Sequence, residues 1–353
     1  MENDVRDAGP ARVVFGTGTA DRVREEAERL GATRVLLLST PSQARTVRRL
    51  REILNPLPVA EFGGAALHTP VEVTERALEV LRGHGADCLV AVGGGSAIGL
   101  SKALSVRTGL PQLVLPTTYA GSEATPVLGE TEHGRKTTRS APEILPDTVV
   151  YDVELTLTLP VAVSVTSAVN ALAHAVEALY APEAGPESDR RALEAVARIA
   201  RALPAVTARP SDPEARADLL QAARLAGTCL GAVGMGLHHK LCHTLGGAFG
   251  MPHAATHTVV LPHAMAYNAS AAPDAMACIA RALGADGSAP AGVYDLVAGV
   301  GGPTSLGGLG MAEADLARAA ELAVAQPYPN PRDPTREGVE ALLIDAWHGR
   351  RPD

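Results

Sequence analysis

The 353-residue chain carries 39 acidic against 31 basic side chains, a formal net charge of −8, and a hydrophobic fraction of 46 % to which aromatics add only 3 %. That length exceeds what one compact core usually fills, so two domains are expected, and the negative charge excludes a general affinity for nucleic-acid phosphates. No unbroken apolar run of about eighteen residues suggests a membrane span, no apolar leader opens the chain and the four cysteines form no CxxC pair, so a cytoplasmic protein with free thiols is the expectation.

The first half alternates. RVLLLS (34–39), LPVAEF (57–62), CLVAV (88–92), QLVLPT (112–117) and DTVVYD (147–152) are short apolar runs suited to buried parallel strands. Amphipathic helical patterns at 19–30, 43–54, 71–83 and 96–107 lie between most of them. This alternation predicts a doubly wound, Rossmann-like α/β domain over residues 1–158. ARVVFGTG (11–18) reads as an exposed segment able to pair across a twofold axis.

Two loops of that domain have the chemistry of a nucleotide site. CLVAVGGGSAIGLSK (88–102) is a strand, three glycines (Gly93, Gly94, Gly95), Ser96 and a helix start. Glycines let a phosphate approach the backbone, and the N–H groups at a helix N-terminus stabilise its charge. The spacing is neither the dinucleotide GxGxxG nor a P-loop, and a tight turn without ligand is the bland alternative. PTTYAGSEAT (116–125) follows the next strand with Thr117, Thr118 and Ser122, hydroxyls that suit phosphate or ribose and are also ordinary turn residues. At the end of the first strand stand Ser39 and Thr40, with no carboxylate to select the free 2′-hydroxyl of NADH, so NADH and NADPH both remain open.

After Leu159-Pro160 the texture changes. Segments 161–180, 187–207, 213–230, 236–246, 255–271, 273–283, 312–325 and 335–348 are Ala- and Leu-rich with helical periodicity. EAGPES, ARPSDPE, GADGSAPAG, GVGGPTSLGGLG and QPYPNPRDP break them. Residues 159–353 are therefore expected to form an all-α domain, with a ligand most simply housed in the cleft beside the α/β domain.

Five of the eleven histidines fall within HHKLCHTLGGAFGMPHAATH (238–257), and His263 follows. His239 and His243 are four apart and share a helix face, the break GGAFGMP lets His253 return towards them, and Asn170 and His174 share a face of SAVNALAHAVEALY (167–180). His238 and His257 are expected on the helix exterior.

The Gly-Gly-Gly-Ser turn, PTTYAGSEAT, the NxxxH helix, the HxxxH…PH array and NPR (330–332) together resemble the iron-containing, group III alcohol dehydrogenase superfamily, whose fold is that of dehydroquinate synthase. The resemblance runs from about Phe15 to the last helix. In metal-using members an Asp and a His four apart, the first His of HxxxH and the His of the later PH hold the ion. Those positions here are Asn170, His174, His239 and His253, while His243 corresponds to a histidine beside the nicotinamide. Lys136, in EHGRKTTR, aligns with a lysine near the cofactor in relatives, with a solvated charge run as the alternative.

Asn170 departs from the pattern. An amide offers a divalent cation a dipole where a carboxylate offers a charge, and Lys240 adds a cation next to His239, so no metal is expected. The run at 238–268 is similar to that of the maleylacetate reductase branch. That branch uses NADH or NADPH to reduce the carbon–carbon double bond of maleylacetate to 3-oxoadipate in aromatic-compound degradation. The resemblance thus implies a small dicarboxylate substrate, with no nucleic-acid or membrane partner. Hydride would go to C2, the enolate would be met by His243, His253 or Lys240, a protonated histidine would supply C3, and His174, His239 and Lys240 would hold carboxylates. A metal-dependent alcohol dehydrogenase acting on a simple alcohol or aldehyde is the alternative.

Overall fold

The computed structural model describes residues 4–8, 11–133 and 135–353, leaving aside the side chains of 4–8, 135 and 136. The chain divides into two compact units at Leu159/Pro160.

The first unit runs β1 (Asp4–Ala8), β2 (Ala11–Gly16), α1 (Val23–Arg29), β3 (Val35–Leu38), α2 (Ala44–Leu54), β4 (Val59–Phe62), α3 (Val71–His84), β5 (Cys88–Gly93), α4 (Gly95–Thr108), β6 (Gln112–Pro116), β7 (Val127–Glu132), β8 (Arg135–Ser140) and β9 (Thr148–Asp152). Seven strands form one sheet in the order β1-β2-β9-β6-β5-β3-β4, parallel except for the β1–β2 hairpin. The five expected strands are present, and β3, β5, β6 and β9 are buried along their whole length, as continuous apolar runs require. Connections leave β3 in one direction and β5 in the other. The carboxyl ends of these neighbours therefore flank a topological switch point, the usual ligand crevice of such sheets.

One expectation is corrected, and one hairpin was not foreseen. Residues 11–16 are not an exposed edge: β2 lies inside the sheet, pairing with β1 on one side and β9 on the other, with Val14 fully buried. Its alternation allowed either placement, and pairing with residues more than a hundred positions away decided between them. The β7–β8 hairpin, paired from Val127↔Ser140 to Glu132↔Arg135, carries too many charged and hydroxyl residues to stand out as strands.

The second unit consists of α5 (Val161–Ala178), α6 (Pro186–Ala208), α7 (Pro213–Ala232), α8 (Leu237–Phe249), α9 (His253–Asn268), α10 (Pro273–Leu283), α11 (Ala289–Gly299), α12 (Leu316–Val324) and α13 (Arg336–His348), with no strand among the described residues. The helix α11 was hidden in GADGSAPAG. Ser288 caps it by accepting from Ala291 N–H at 3.2 Å, and Pro290 sits in the first turn, where a missing N–H does no harm. By length and composition α5 could cross a membrane, with a mean hydropathy of 1.3, although Asn170, His174 and Glu177 interrupt its apolar run. It is 78 % buried inside this unit, and packs against α6, α7 and α9.

On α8, Leu237, Leu241 and Leu245 repeat every four residues and enter a core shared with Val259, Val260, Leu316 and Leu343. His239 and His243, offset by about half a turn, occupy the opposite face. Gly250 (φ 65°) ends α8 in a left-handed conformation that a side chain would strain, and Met251-Pro252 leads straight into α9.

Candidate functional site

In the first unit the two glycine- and hydroxyl-bearing loops meet. Thr117 N–H donates to Gly93 O at 3.0 Å. A Cβ on Gly94 would come within 2.9 Å of the Thr118 methyl carbon, and one on Gly95 within 3.9 Å of Ser122 Oγ. Glycine at 94 is thus required by the packing of one loop on the other, and Gly95 opens α4, whose first N–H groups face the same crevice edge. Ser96 follows in that first turn. Ser122 Oγ is buried with no partner among the described residues. Thr40, half-buried beyond β3, bonds Ser42 Oγ at 2.9 Å, and Gln43 Nε2 reaches Thr117 Oγ1 at 3.3 Å. A bare helix N-terminus, a close backbone approach and an unsatisfied hydroxyl fit the phosphates of a dinucleotide. The side chain of Lys136 lies outside the described residues.

Lys102 was present in the quoted motif but had been given no role. Its ammonium is buried and donates to Ser122 O (2.6 Å), Thr125 O (2.8 Å), Thr125 Oγ1 (3.2 Å) and Val127 O (3.0 Å). Burial pulls its pKa down to about 7, against the pull of buried Glu123. This lysine ties the 117–125 loop to α4.

In the second unit α5, α8 and α9 bring six histidines together. The His174 and His239 rings stack at 5.1 Å, and His257 stands 5.1 Å from His239, 4.8 Å from His238 and 4.3 Å from His253. His243 and His253 stack at 6.4 Å and are half-buried, whereas His174, His238, His239 and His257 are buried, as is Asn170 one turn before His174. The expectation that His238 and His257 face outward is therefore wrong. Both are interior, and His238 Nε2 lies 3.1 Å from His257 O. Their positions one residue after Leu237 and four after His253 did not reveal that α8 is covered on nearly every side. Lys240 is half-buried with Nζ 5.7 Å over the Tyr328 ring; no carboxylate pairs with it among the described residues.

Glu177, seven residues after Asn170 on the same face of α5, escaped the sequence reading. Its Oε2 is 2.6 Å from His239 Nδ1 and accepts Gly236 N–H at 3.0 Å, while Oε1 accepts His238 N–H at 2.8 Å. Asn330, of the NPR run, takes the intervening Leu237 N–H at 3.2 Å and exchanges amide hydrogen bonds with Asn268. Three successive N–H groups that open α8 are thereby satisfied from other elements. The signal available was a single carboxylate at helical spacing from His174 in an otherwise apolar stretch.

The electrostatics follow. Burial opposes ionisation of Glu177, but the His239 charge and hydrogen bond outweigh it and hold the carboxyl below its ordinary value. Burial, reinforced by neighbouring imidazoles, pushes His174 and His257 well below the usual imidazole range and His238 down to about 4. Near neutral pH these three are neutral.

Imidazole nitrogens of His238, His239 and His257 lie within 4.8 Å of one another, a spacing that metal ions accept. Yet burial keeps His238 and His257 neutral, both Glu177 oxygens are engaged, and His238 Nε2 faces a carbonyl. Asn170, the position to which the resemblance assigns an aspartate ligand, offers an amide oxygen and no charge. An amide among imidazoles suits a hard, oxygen-preferring cation poorly, whereas three neutral imidazoles are donors that zinc accepts.

Family models match along nearly the whole chain: iron-containing alcohol dehydrogenase over residues 10–153, and the Fe-containing alcohol dehydrogenase family C-terminal region over 164–347. Maleylacetate reductase 1 of Rhodococcus opacus is 59 % identical over 343 residues, 97 % of this chain and 96 % of that protein. The crystal structure of maleylacetate reductase from Rhizobium sp. strain MTP-10005 matches with a TM-score of 0.93 at 52 % identity, covering 99 % of each chain. That of maleylacetate reductase from Agrobacterium tumefaciens matches with a TM-score of 0.93 at 51 % identity, covering 100 % of each.

Proposed function

The chain belongs to the iron-containing alcohol dehydrogenase family, and from that membership we propose that it is an oxidoreductase reducing the carbon–carbon double bond of maleylacetate to give 3-oxoadipate. The observation that carries this reading is the nest of imidazoles around Asn170, which can donate hydrogen bonds to a dicarboxylate and its enolate without a Lewis acid.

Bound NADH or NADPH supplies the hydride, delivered to C2, the alkene carbon β to the ketone. Gly93, Gly94, Gly95 and Ser96 would hold its phosphates through backbone N–H groups, with Thr117, Thr118 and Ser122 as hydroxyl partners. Thr40, just after β3, would face the adenosine ribose, and without a carboxylate there neither NADH nor NADPH is excluded. As C2 receives hydride, charge moves through C3 to the ketone oxygen. His243 and His253, the half-buried pair, meet that enolate and return a proton to C3. His174 and His239 hold a carboxylate deeper in the pocket, and Lys240 supplies positive charge from the adjoining turn of α8. No metal is required in this scheme. Relatives in the superfamily that the sequence resembles often dimerise, and on that ground the functional unit is a homodimer in the cytoplasm.

Enzyme treated exhaustively with a chelator, with bound metal assayed in the same sample, is mixed with freshly prepared maleylacetate and NADH or NADPH, and nicotinamide absorbance is followed. Fast oxidation by metal-free protein is expected. Turnover that returns only with zinc or iron, and only on simple alcohols or aldehydes, would move the reading to a metal-dependent alcohol dehydrogenase. The close approach of the His238, His239 and His257 nitrogens is the observation in that reading's favour.

A further inference from the structure

The scheme above gives no role to Glu177, the buried carboxylate beside the imidazoles. Glu177 is 1 % exposed, and three donors converge on its two oxygens: Gly236 N–H, His238 N–H and the His239 ring. Capping α8 does not by itself call for an anion, because the next N–H, that of Leu237, is satisfied by the neutral amide of Asn330. What distinguishes Glu177 is the 2.6 Å contact to His239 Nδ1.

We infer that Glu177 is a positioning residue that acts through His239: it holds the hydrogen on Nδ1, fixes the ring plane, and leaves Nε2 as the nitrogen offered to substrate. The geometry supports this at each contact. With Nδ1–H donated to Oε2, His239 Nε2 has no partner among the described residues, and its ring is stacked on His174 and set edge-on to His257. The arrangement tolerates little displacement, since a Cβ on Gly236 would lie 3.0 Å from Glu177 Oε1 and 3.2 Å from Asn330 Oδ1. The glycine thus lets the carboxylate and the start of α8 come close enough for the ring to be reached.

The inference rests on the maleylacetate reading for its kinetic consequence, but not for its structural one. Glu177→Gln keeps the side chain's size and can still accept from the two backbone N–H groups, but its NH2 then confronts His239 Nδ1–H or forces the other tautomer. Expected is a loss in kcat of about 10- to 100-fold, the usual range for a partner that orients a functional histidine, with the dissociation constant for NADH unchanged. In a His239→Ala background the same substitution should change kcat less than about twofold, because the ring it acts on is gone. Wild-type kcat in Glu177→Gln, or losses that simply multiply in the double variant, would overturn the inference.

Wild-type enzyme provides a readout independent of turnover and of whether the variant folds. A strongly hydrogen-bonded Nδ1–H gives a far-downfield proton NMR resonance, expected in the free protein and absent in His239→Ala. Folded wild-type protein without that resonance refutes the positioning role. A resonance in protein that does not reduce maleylacetate supports the Glu177–His239 geometry and overturns the substrate reading instead.

Discussion

Replacing Lys102 by methionine tests whether the 117–125 loop owes its position to one buried ammonium. The substitution conserves most of the volume and removes four donor contacts, to Ser122 O, Thr125 O, Thr125 Oγ1 and Val127 O. Ser122 O keeps Thr125 N–H at 3.3 Å and Thr125 Oγ1 at 3.0 Å as donors, so the unrelieved losses are the carbonyls of Thr125 and Val127. An acceptor left buried without a donor costs about 1–3 kcal/mol, and two such losses sum to about 2–6 kcal/mol. Removing a buried charge recovers part of this, which puts the net near 3 kcal/mol. For a domain of this size about 3 kcal/mol lowers Tm by roughly 6–12 °C. Because Thr118 packs on Gly94 and Ser122 lies beside Gly95, a loosened loop also disorders the phosphate cradle. The NADH dissociation constant, read by nicotinamide fluorescence, should rise by about tenfold or more, about 1.4 kcal/mol. Calorimetry and titration of the same sample settle the matter. A Tm within about 2 °C of wild type together with unchanged NADH affinity would refute the reasoning, showing that the carbonyls find other donors and that the loop is held by its own turn.

Gly236→Ala places a methyl 3.0 Å from Glu177 Oε1 and 3.2 Å from Asn330 Oδ1; it should destabilise by about 1–3 kcal/mol and reduce kcat, and normal values for both would mean that the start of α8 can shift freely. Asn170→Asp restores a carboxylate beside His174 and should tighten zinc binding by about tenfold or more in calorimetric titration, with unchanged affinity counting against the account of the donor set. Acid should destabilise the fold between pH 6.5 and about 4. His238 and His263 are pushed down to about 4, chiefly by burial, so over that window the unfolded chain binds protons that the folded chain does not. Their contribution is intact above pH 6.5 and lost as pH falls through about 4, up to about 3 kcal/mol apiece; a Tm independent of pH across that window would contradict it.

Much of this was legible in the chain itself. Strands such as CLVAV and TVVY announced a buried parallel sheet because both faces are continuously apolar, and the glycine-serine turn followed from the spacing of a strand, three glycines and a helix. The faces carrying Asn170 with His174, and His239 with His243, came directly from the helical period. What could not be read were features set by partners distant in sequence. Residues 11–16 look like an edge until β1 and β9 flank them, and α11 looks like a break until Ser288 caps it with Pro290 in its first turn.

The same division runs through the site. Sequence alone determined that position 170 is an amide and that histidines recur at helical spacing, because identity and periodicity are local properties. Only the tertiary structure decided that His238 and His257 are interior, that Lys102 ties down the 117–125 loop and that a carboxylate 62 residues away lies against Nδ1 of His239. A hydrogen bond depends on where two backbones come to lie once their cores have packed, and no short window of residues contains that information.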